Sequence, residues 1–185
     1  MKFDDITRFV EEGTYNINVP ITQLKQTLDS YAKKFGLEMN PDFQRGHVWT
    51  RAQQSSYLEF FYRGGTSART IFFNDPRFPS GHCKEGCTNK NMVLVDGLQR
   101  LTAHLDFLDN KVPIFGVFFK DFEDEPSIAE HSLIFNVNGL QKRSEVLQWY
   151  LEMNSGGTVH SEEELLRVQG LIDKVRLMEA EEEGA

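Results

Sequence analysis

The chain reads as an α+β fold, a small mixed sheet with helices packed on it, and three observations predict this. Four short apolar, β-rich runs, Tyr15–Val19, Thr70–Phe73, Met92–Val95 and Leu133–Val137, are set among segments whose apolar residues recur at helical spacing. Strands and helices alternate only loosely, which disfavours a doubly wound parallel sheet. No internal repeat or linker divides the 185 residues, a length suited to one core, so residues 1–178 are expected to form a single domain and 179–185 an acidic flexible tail.

Each element has a local reason. Pro20 ends the first strand, and Thr22 is placed to cap a helix carrying Leu24, Leu28, Ala32 and Phe35, with Gly36 as its stop. Thr50 is placed to cap a second helix whose stripe is Tyr57, Leu58, Phe61 and Tyr62, ended by Gly64-Gly65. After the strand at Thr70–Phe73, residues 75–91 are rich in Pro, Gly and polar types and read as a long loop. The apolar run Met92–Val95 then breaks at Asp96-Gly97 into a helix presenting Leu101, Leu105 and Leu108 and ending near Asn110. Val112–Phe119 is apolar and β-rich, with Pro113 and Gly116 pointing to an edge strand or bulge. Beyond Leu133–Val137, Ser144 is placed to cap a helix through Met153, and Asn154-Ser155-Gly156-Gly157 to turn the chain. Ser161 with Glu164 forms a capping box for a last helix bearing Leu165, Val168, Ile172 and Val175.

The formal charge is -8, but it is concentrated. Residues 121–130 hold five acids and no base, residues 161–185 eight acids and three bases, leaving 15 acids against 17 bases elsewhere. That body can accept a phosphate-bearing ligand, while the bulk composition gives no reason to expect strong duplex binding. No run of apolar residues is long enough to span a membrane and the start of the sequence lacks a secretion pattern, so a cytoplasmic setting is expected. Cys83 and Cys87 then read as reduced thiols of a polar loop. A zinc site using His82 and both thiolates is the sharper alternative, but no second ligand pair stands at the right spacing.

Two segments carry chemistry. At Asp96-Gly97-Leu98-Gln99-Arg100, glycine lets a ligand approach the backbone, the helix start offers unpaired N–H donors, and the Arg100 fork can grip phosphate. Asp96 can hold Mg²⁺, orient a water or steady the arginine; the plainer alternative makes Asp96 an N-cap and Arg100 a solvated helix residue. At Phe43-Gln44-Arg45-Gly46-His47-Val48-Trp49, the aromatics can anchor an extended segment while Gln44 and Arg45 point at a ligand, or simply pin a surface loop. His104, one turn beyond Arg100, can share the face toward such a pocket or be an ordinary partly buried residue. His131 and His160 carry no signal.

Three separated motifs in order, Phe-Gln-Arg-x-x-Val-Trp, then Val-Asp-Gly-x-Gln-Arg-Leu-Thr, then Met-Asn-Ser-Gly-Gly-Thr ahead of Ser-x-x-Glu-Leu, resemble the N-terminal domain family of GmrSD-type restriction systems over about residues 15–170. That family has a DGQQR signature and belongs to the ParB/sulfiredoxin-like fold group. The resemblance implies nucleotide binding and NTP hydrolysis, with Asp96, Gly97, Gln99 and Arg100 lining the phosphate site, Gln44 and Arg45 approaching it, and Asn154, Gly156 and Gly157 forming a neighbouring loop. Leu98 departs from the motif, which has Gln there; if that Gln serves the water, binding survives and hydrolysis does not.

The expected activity is a Mg²⁺-assisted NTP hydrolase in which Asp96 carries the metal or aligns the water, Gln99 orients the nucleophile, and Arg45 and Arg100 hold phosphate oxygens. The alternative is a nucleotide-sensing or DNA-associated regulatory module in phage defence or counter-defence, acting without turnover. A ParB-like DNA nickase ranks below both. Partners implied are a nucleoside triphosphate, with DNA or a nuclease subunit as further candidates. Nothing after His160 offers a His-Asn-His nuclease pattern.

Overall fold

A computed structural model describes residues 1–6, 15–126, 130–155 and 162–183. It contains a four-stranded mixed sheet in the order β1-β4-β2-β3, from β1 (Tyr15–Pro20), β2 (Thr70–Asn74), β3 (Val93–Asp96) and β4 (Ser132–Asn138). The helices are α1 (Leu24–Phe35), α2 (Arg51–Tyr62), α3 (Leu98–Leu108), α4 (Arg143–Ser155) and α5 (Glu162–Glu183). The α+β architecture expected from the sequence is the one observed.

Local signals decide several boundaries. Gly36 adopts φ 63, and its N–H caps the end of α1. Thr50 accepts from the Gln53 N–H while Gln53 reaches back to the Thr50 N–H, a full capping box at α2. Other expectations need correction. Thr22 does not cap α1: it lies within a 3-10 turn, Ile21–Gln23, and the N-cap position is Gln23 with no side-chain bond. Val112–Phe119 forms no strand, because Pro113 removes a donor and the chain turns at Phe115-Gly116 (φ 48 and 79), leaving a single bridge between Ile114 and Val117. A 3-10 turn, Phe119–Asp121, follows.

The described residues fall into two compact units. The first contains the described residues among 1–14, 74–91 and 137–185. Here α4 and α5 pack on each other, and Val146, Leu147, Trp149 and Tyr150 on one helix and Val168 and Ile172 on the other are buried. Ser144, expected to cap α4, lies inside it, and its hydroxyl donates to the Glu179 carboxylate. Glu179 also accepts from the Thr88 hydroxyl at 2.6 Å. The acidic end expected to fray from 179 therefore stays helical to Glu183, with Glu179 only 7% exposed. Burial raises the Glu179 pKa, but the bonds from Ser144 and Thr88 outweigh it and hold it below the usual value. The Ser161 cap lies outside the described residues.

The second unit contains residues 15–73 and 92–136. Tyr31 of α1 meets Phe73 of β2 and Phe135 of β4, each at 6.1 Å between ring centroids, which seats α1 on the sheet. Leu58 of α2 and Ala103 and Phe107 of α3 form a further cluster with Val112 and Ile114. The buried side of α3 is Leu101, Ala103, His104 and Phe107, whereas Leu105 and Leu108 are only partly covered.

His104 is fully buried. Its Nε2 lies 3.3 Å from the Tyr57 hydroxyl, which itself donates to the Ala68 carbonyl, so the imidazole supplies the N–H and Nδ1 keeps a bare lone pair. Burial, with a smaller push from the Arg69 charge, lowers the His104 pKa to about 3. Below pH 6.5 the unfolded chain then takes up a proton that the folded chain refuses, so stability falls as pH falls, by up to about 1.4 kcal/mol per unit. Thermal unfolding between pH 7 and 5 should show this slope in the wild type and lose it in His104→Gln; an unchanged slope in the variant would contradict the buried neutral imidazole.

Candidate functional site

The site grows from the end of β3, an edge strand of the sheet. The outward backbone groups of Leu94 are met by other parts of the chain: its N–H donates to the Glu38 carbonyl at 3.0 Å, and its carbonyl accepts from Gln44 Nε2 at 2.6 Å. Gln44 Nε2 also lies 3.3 Å from the Val95 carbonyl. An edge left open would be a site for further strand pairing. Here the Glu38 backbone and the Gln44 side-chain amide meet it, and Gln44 is thereby held at the end of the strand.

Strand gives way to helix at Gly97, which takes φ 106. That backbone conformation favours glycine, and a Cβ there would in addition come to 2.6 Å from Ile71 Cδ1, so that the Ile71 side chain would have to shift. No side chain caps α3. Its first turn thus presents main-chain N–H donors and the positive dipole end without a side-chain acceptor from the N-cap residue.

Gln99 ties that turn to the preceding segment. Its Oε1 accepts from the N–H groups of Val48 and Trp49 at 2.9 and 3.1 Å, and its Nε2 donates to the Gly46 carbonyl at 2.7 Å. Three bonds from one amide hold Gly46–Trp49 as a strap beside α3, and the exposed Arg45 sits immediately before it. Trp49 packs on Tyr57 at 5.4 Å between centroids, while Phe43 is 1% exposed. The aromatics are the anchors, as their flanking positions suggested.

Arg100 turns inward. One terminal nitrogen donates to the Thr70 carbonyl at 2.7 Å and the other pairs with Asp96 four residues earlier. The Arg100 side chain is 16% exposed and that of Asp96 34%. Asp96 is therefore no helix cap and Arg100 no solvated residue; they form a partly buried pair linking the helix start to β2. Leu98 is buried at 8% exposure, so the position at which the motif departs points into the protein interior rather than to solvent.

The remaining sequence candidates lie elsewhere. Asn154 is in the last turn of α4 and donates to the Tyr150 carbonyl at 2.7 Å; Gly156 and Gly157 are outside the described residues. Cys83 and Cys87 are free thiols, Cys83 exposed and Cys87 donating to the Asn89 carbonyl at 3.0 Å. Burial and the neighbouring Cys83 push the Cys87 thiol up to about 11, the wrong direction for a metal-binding thiolate. Among the described residues no three His, Cys, Asp or Glu side chains converge on a metal position.

Sequence reasoning missed the partners of these groups: Thr70 and Ile71 behind Arg100 and Gly97, and the backbone of Gly46, Val48 and Trp49 on Gln99. They lie tens of residues away along the chain and use main-chain atoms, which leave no compositional trace. In Gln99→Ala the strap loses all three bonds, so hydrogen exchange at the Val48 and Trp49 amides should quicken at least about tenfold, as expected for roughly 1.4 kcal/mol of lost local protection. β2 and β4 should keep theirs. Unchanged exchange at Val48 and Trp49 would show that the amide does not hold the segment.

Among the described residues no helix is long and apolar enough to cross a membrane. No curated protein and no solved structure matches the chain. The family described as the GmrSD restriction endonuclease, N-terminal domain, matches residues 24–140, a span that runs from α1 through β4 and takes in the strap, the Gly97 junction and the Asp96–Arg100 pair. The match covers more than half of the sequence, and the chain belongs to this restriction-system family.

Proposed function

We propose that this chain is a nucleotide-binding domain of a modification-dependent restriction system, taking the phosphates of a nucleoside triphosphate at the β3–α3 junction. The observation that carries the reading is the helix start at Gly97, free of any side-chain cap, beside a strap bonded to Gln99 whose first residue, Gly46, directly follows Arg45 in the chain. Main-chain N–H groups, a positive dipole end and a guanidinium on a pinned segment together suit a polyphosphate. Gln99 and Gln44 act as positioning residues that hold the strap, and Arg100 fixes the junction against β2. A cytoplasmic setting and the ParB/sulfiredoxin-like fold group belong to the same reading.

Mg²⁺-assisted hydrolysis is the activity this site would support. Asp96 is a carboxylate at the junction, and a nucleotide-borne Mg²⁺ commonly takes one or two carboxylates with the rest of its shell from phosphates and water, supplying charge neutralisation. A second reading, nucleotide sensing without turnover, is favoured by the engagement of Asp96 by Arg100 and of Gln99 Oε1 by two N–H groups. In either case DNA or a nuclease subunit is the partner to which the bound state would be reported.

A ligand at a hundredfold excess over its Kd stabilises the folded state by about 2.7 kcal/mol. At least one of ATP, GTP, CTP or UTP with Mg²⁺ should therefore raise the melting temperature by roughly 5–10 °C. Arg45→Ala should abolish the rise while leaving the unliganded protein folded. Phosphate release in the same samples separates hydrolysis from sensing. No shift with any of the four, with or without Mg²⁺, would defeat the reading.

A further inference from the structure

The acidic residues Asp124, Glu125 and Glu130 have no part in the junction, yet they border a cavity of the second unit. That cavity, about 380 Å³, is walled by Tyr62, Phe107, Phe119 and Phe122, with Phe115 at its edge. Phe107 stands edge-on to Phe119 and Phe122 at 5.3 and 6.1 Å, and Tyr62 lies 5.5 Å from Phe107, so the lining rings form one aromatic cluster. Its volume is in the range of small-ligand pockets.

Three carboxylates, Asp124, Glu125 and Glu130, line the same space, and no Lys or Arg does. Among the described residues none of the three is in an ion pair: Arg69 takes the main-chain carbonyl of Glu130, not its side chain. Two further wall residues, Tyr62 and His131, each keep a buried polar atom, the hydroxyl and Nδ1, without a partner. Phe115 and Phe122 are 49% and 39% exposed, a large apolar outlay for a surface so rich in charge. An outer ring already accepts a cation, since the Arg63 guanidinium lies 4.8 Å from the Phe115 centroid.

An aromatic wall with an unpaired acidic rim selects for a positive charge clothed in carbon. The ring quadrupoles attract the cation, the apolar faces pack its alkyl groups, and the carboxylates supply the long-range field. A phosphate-bearing ligand meets the opposite field. We propose that this cavity is a second binding site, separate in chemistry from the junction, for an alkylated ammonium group, carried either by a free quaternary amine or by a methylated lysine side chain of a partner protein.

The test titrates the full chain, by calorimetry and by NMR of the Phe119–Phe122 amides, with choline, with its neutral carbon isostere 3,3-dimethylbutan-1-ol, with trimethyl-lysine and unmodified lysine peptides, and with nucleosides. Choline or the trimethyl-lysine peptide should bind saturably and shift these amides, with the neutral isostere at least about tenfold weaker. The tighter of choline and the peptide identifies the source of the cation. Phe122→Ala, at an exposed ring, should abolish binding, and Asp124→Asn, which preserves shape, should weaken it several-fold and reduce its salt dependence. Equal binding of the neutral isostere, binding of nucleosides in place of choline, or no saturable binding of either cation would overturn the proposal.

Discussion

The carboxamide of Gln99 is the constraint on which the rest of the site depends. A single side chain on the first turn of α3 satisfies two N–H groups and one carbonyl of a segment some fifty residues earlier. Gln44 does the reverse, reaching from that segment to the outer edge of β3. The two glutamines thus close a loop of contacts between strand, strap and helix. Main-chain groups that would otherwise need water or a partner chain are paired inside the second unit. Each is a neutral hydrogen bond of modest net worth, but losing one partner leaves a polar group unsatisfied, which costs more than the bond itself contributed.

This changes what the motif residues mean. In a sequence, Asp, Gly, Gln and Arg at a strand-to-helix turn invite assignment to a ligand one by one. In the fold, Gly97 serves the close approach of Ile71, Arg100 serves Thr70 and Asp96, and Gln99 serves the strap. What they hold in place is a frame, the uncapped helix start beside the strap, with the exposed Arg45 next to it in the chain. Building an anion site from fixed main-chain donors means that little reorganisation is required when the anion arrives, which is where preorganised dipoles gain over flexible side chains. Leu98 fits the same logic, since its position is filled from the interior side.

How much of this was legible in the sequence depends on the range of each interaction. The capping box at Thr50 and Gln53, the left-handed stop at Gly36 and the four apolar runs were readable because their causes lie within a few residues. Ser144 was misread because its hydroxyl serves Glu179, thirty-five residues on, and the same bond keeps the acidic end of α5 from fraying. For His104 the sequence left open a place on the pocket face or an ordinary partly buried one, and the structure buries it completely. Its burial follows from Tyr57 and Phe61 arriving from α2, with ring centroids at 5.5 and 4.5 Å. The aromatic cavity was invisible for a related reason: Tyr62, Phe107 and the 119–122 turn are far apart in the chain, and only the acidic half of the feature formed a continuous run.

The central claim is that the strap and the helix start form one phosphate-handling unit. Backbone amide NMR during titration with a nucleoside triphosphate, against the matching nucleoside, tests it most directly. The account predicts saturable shifts at Leu98, Gln99 and Arg100 together with Arg45–Trp49, following one binding curve and requiring the phosphates. Shifts confined to other parts of the chain, or identical shifts with the nucleoside, would contradict it.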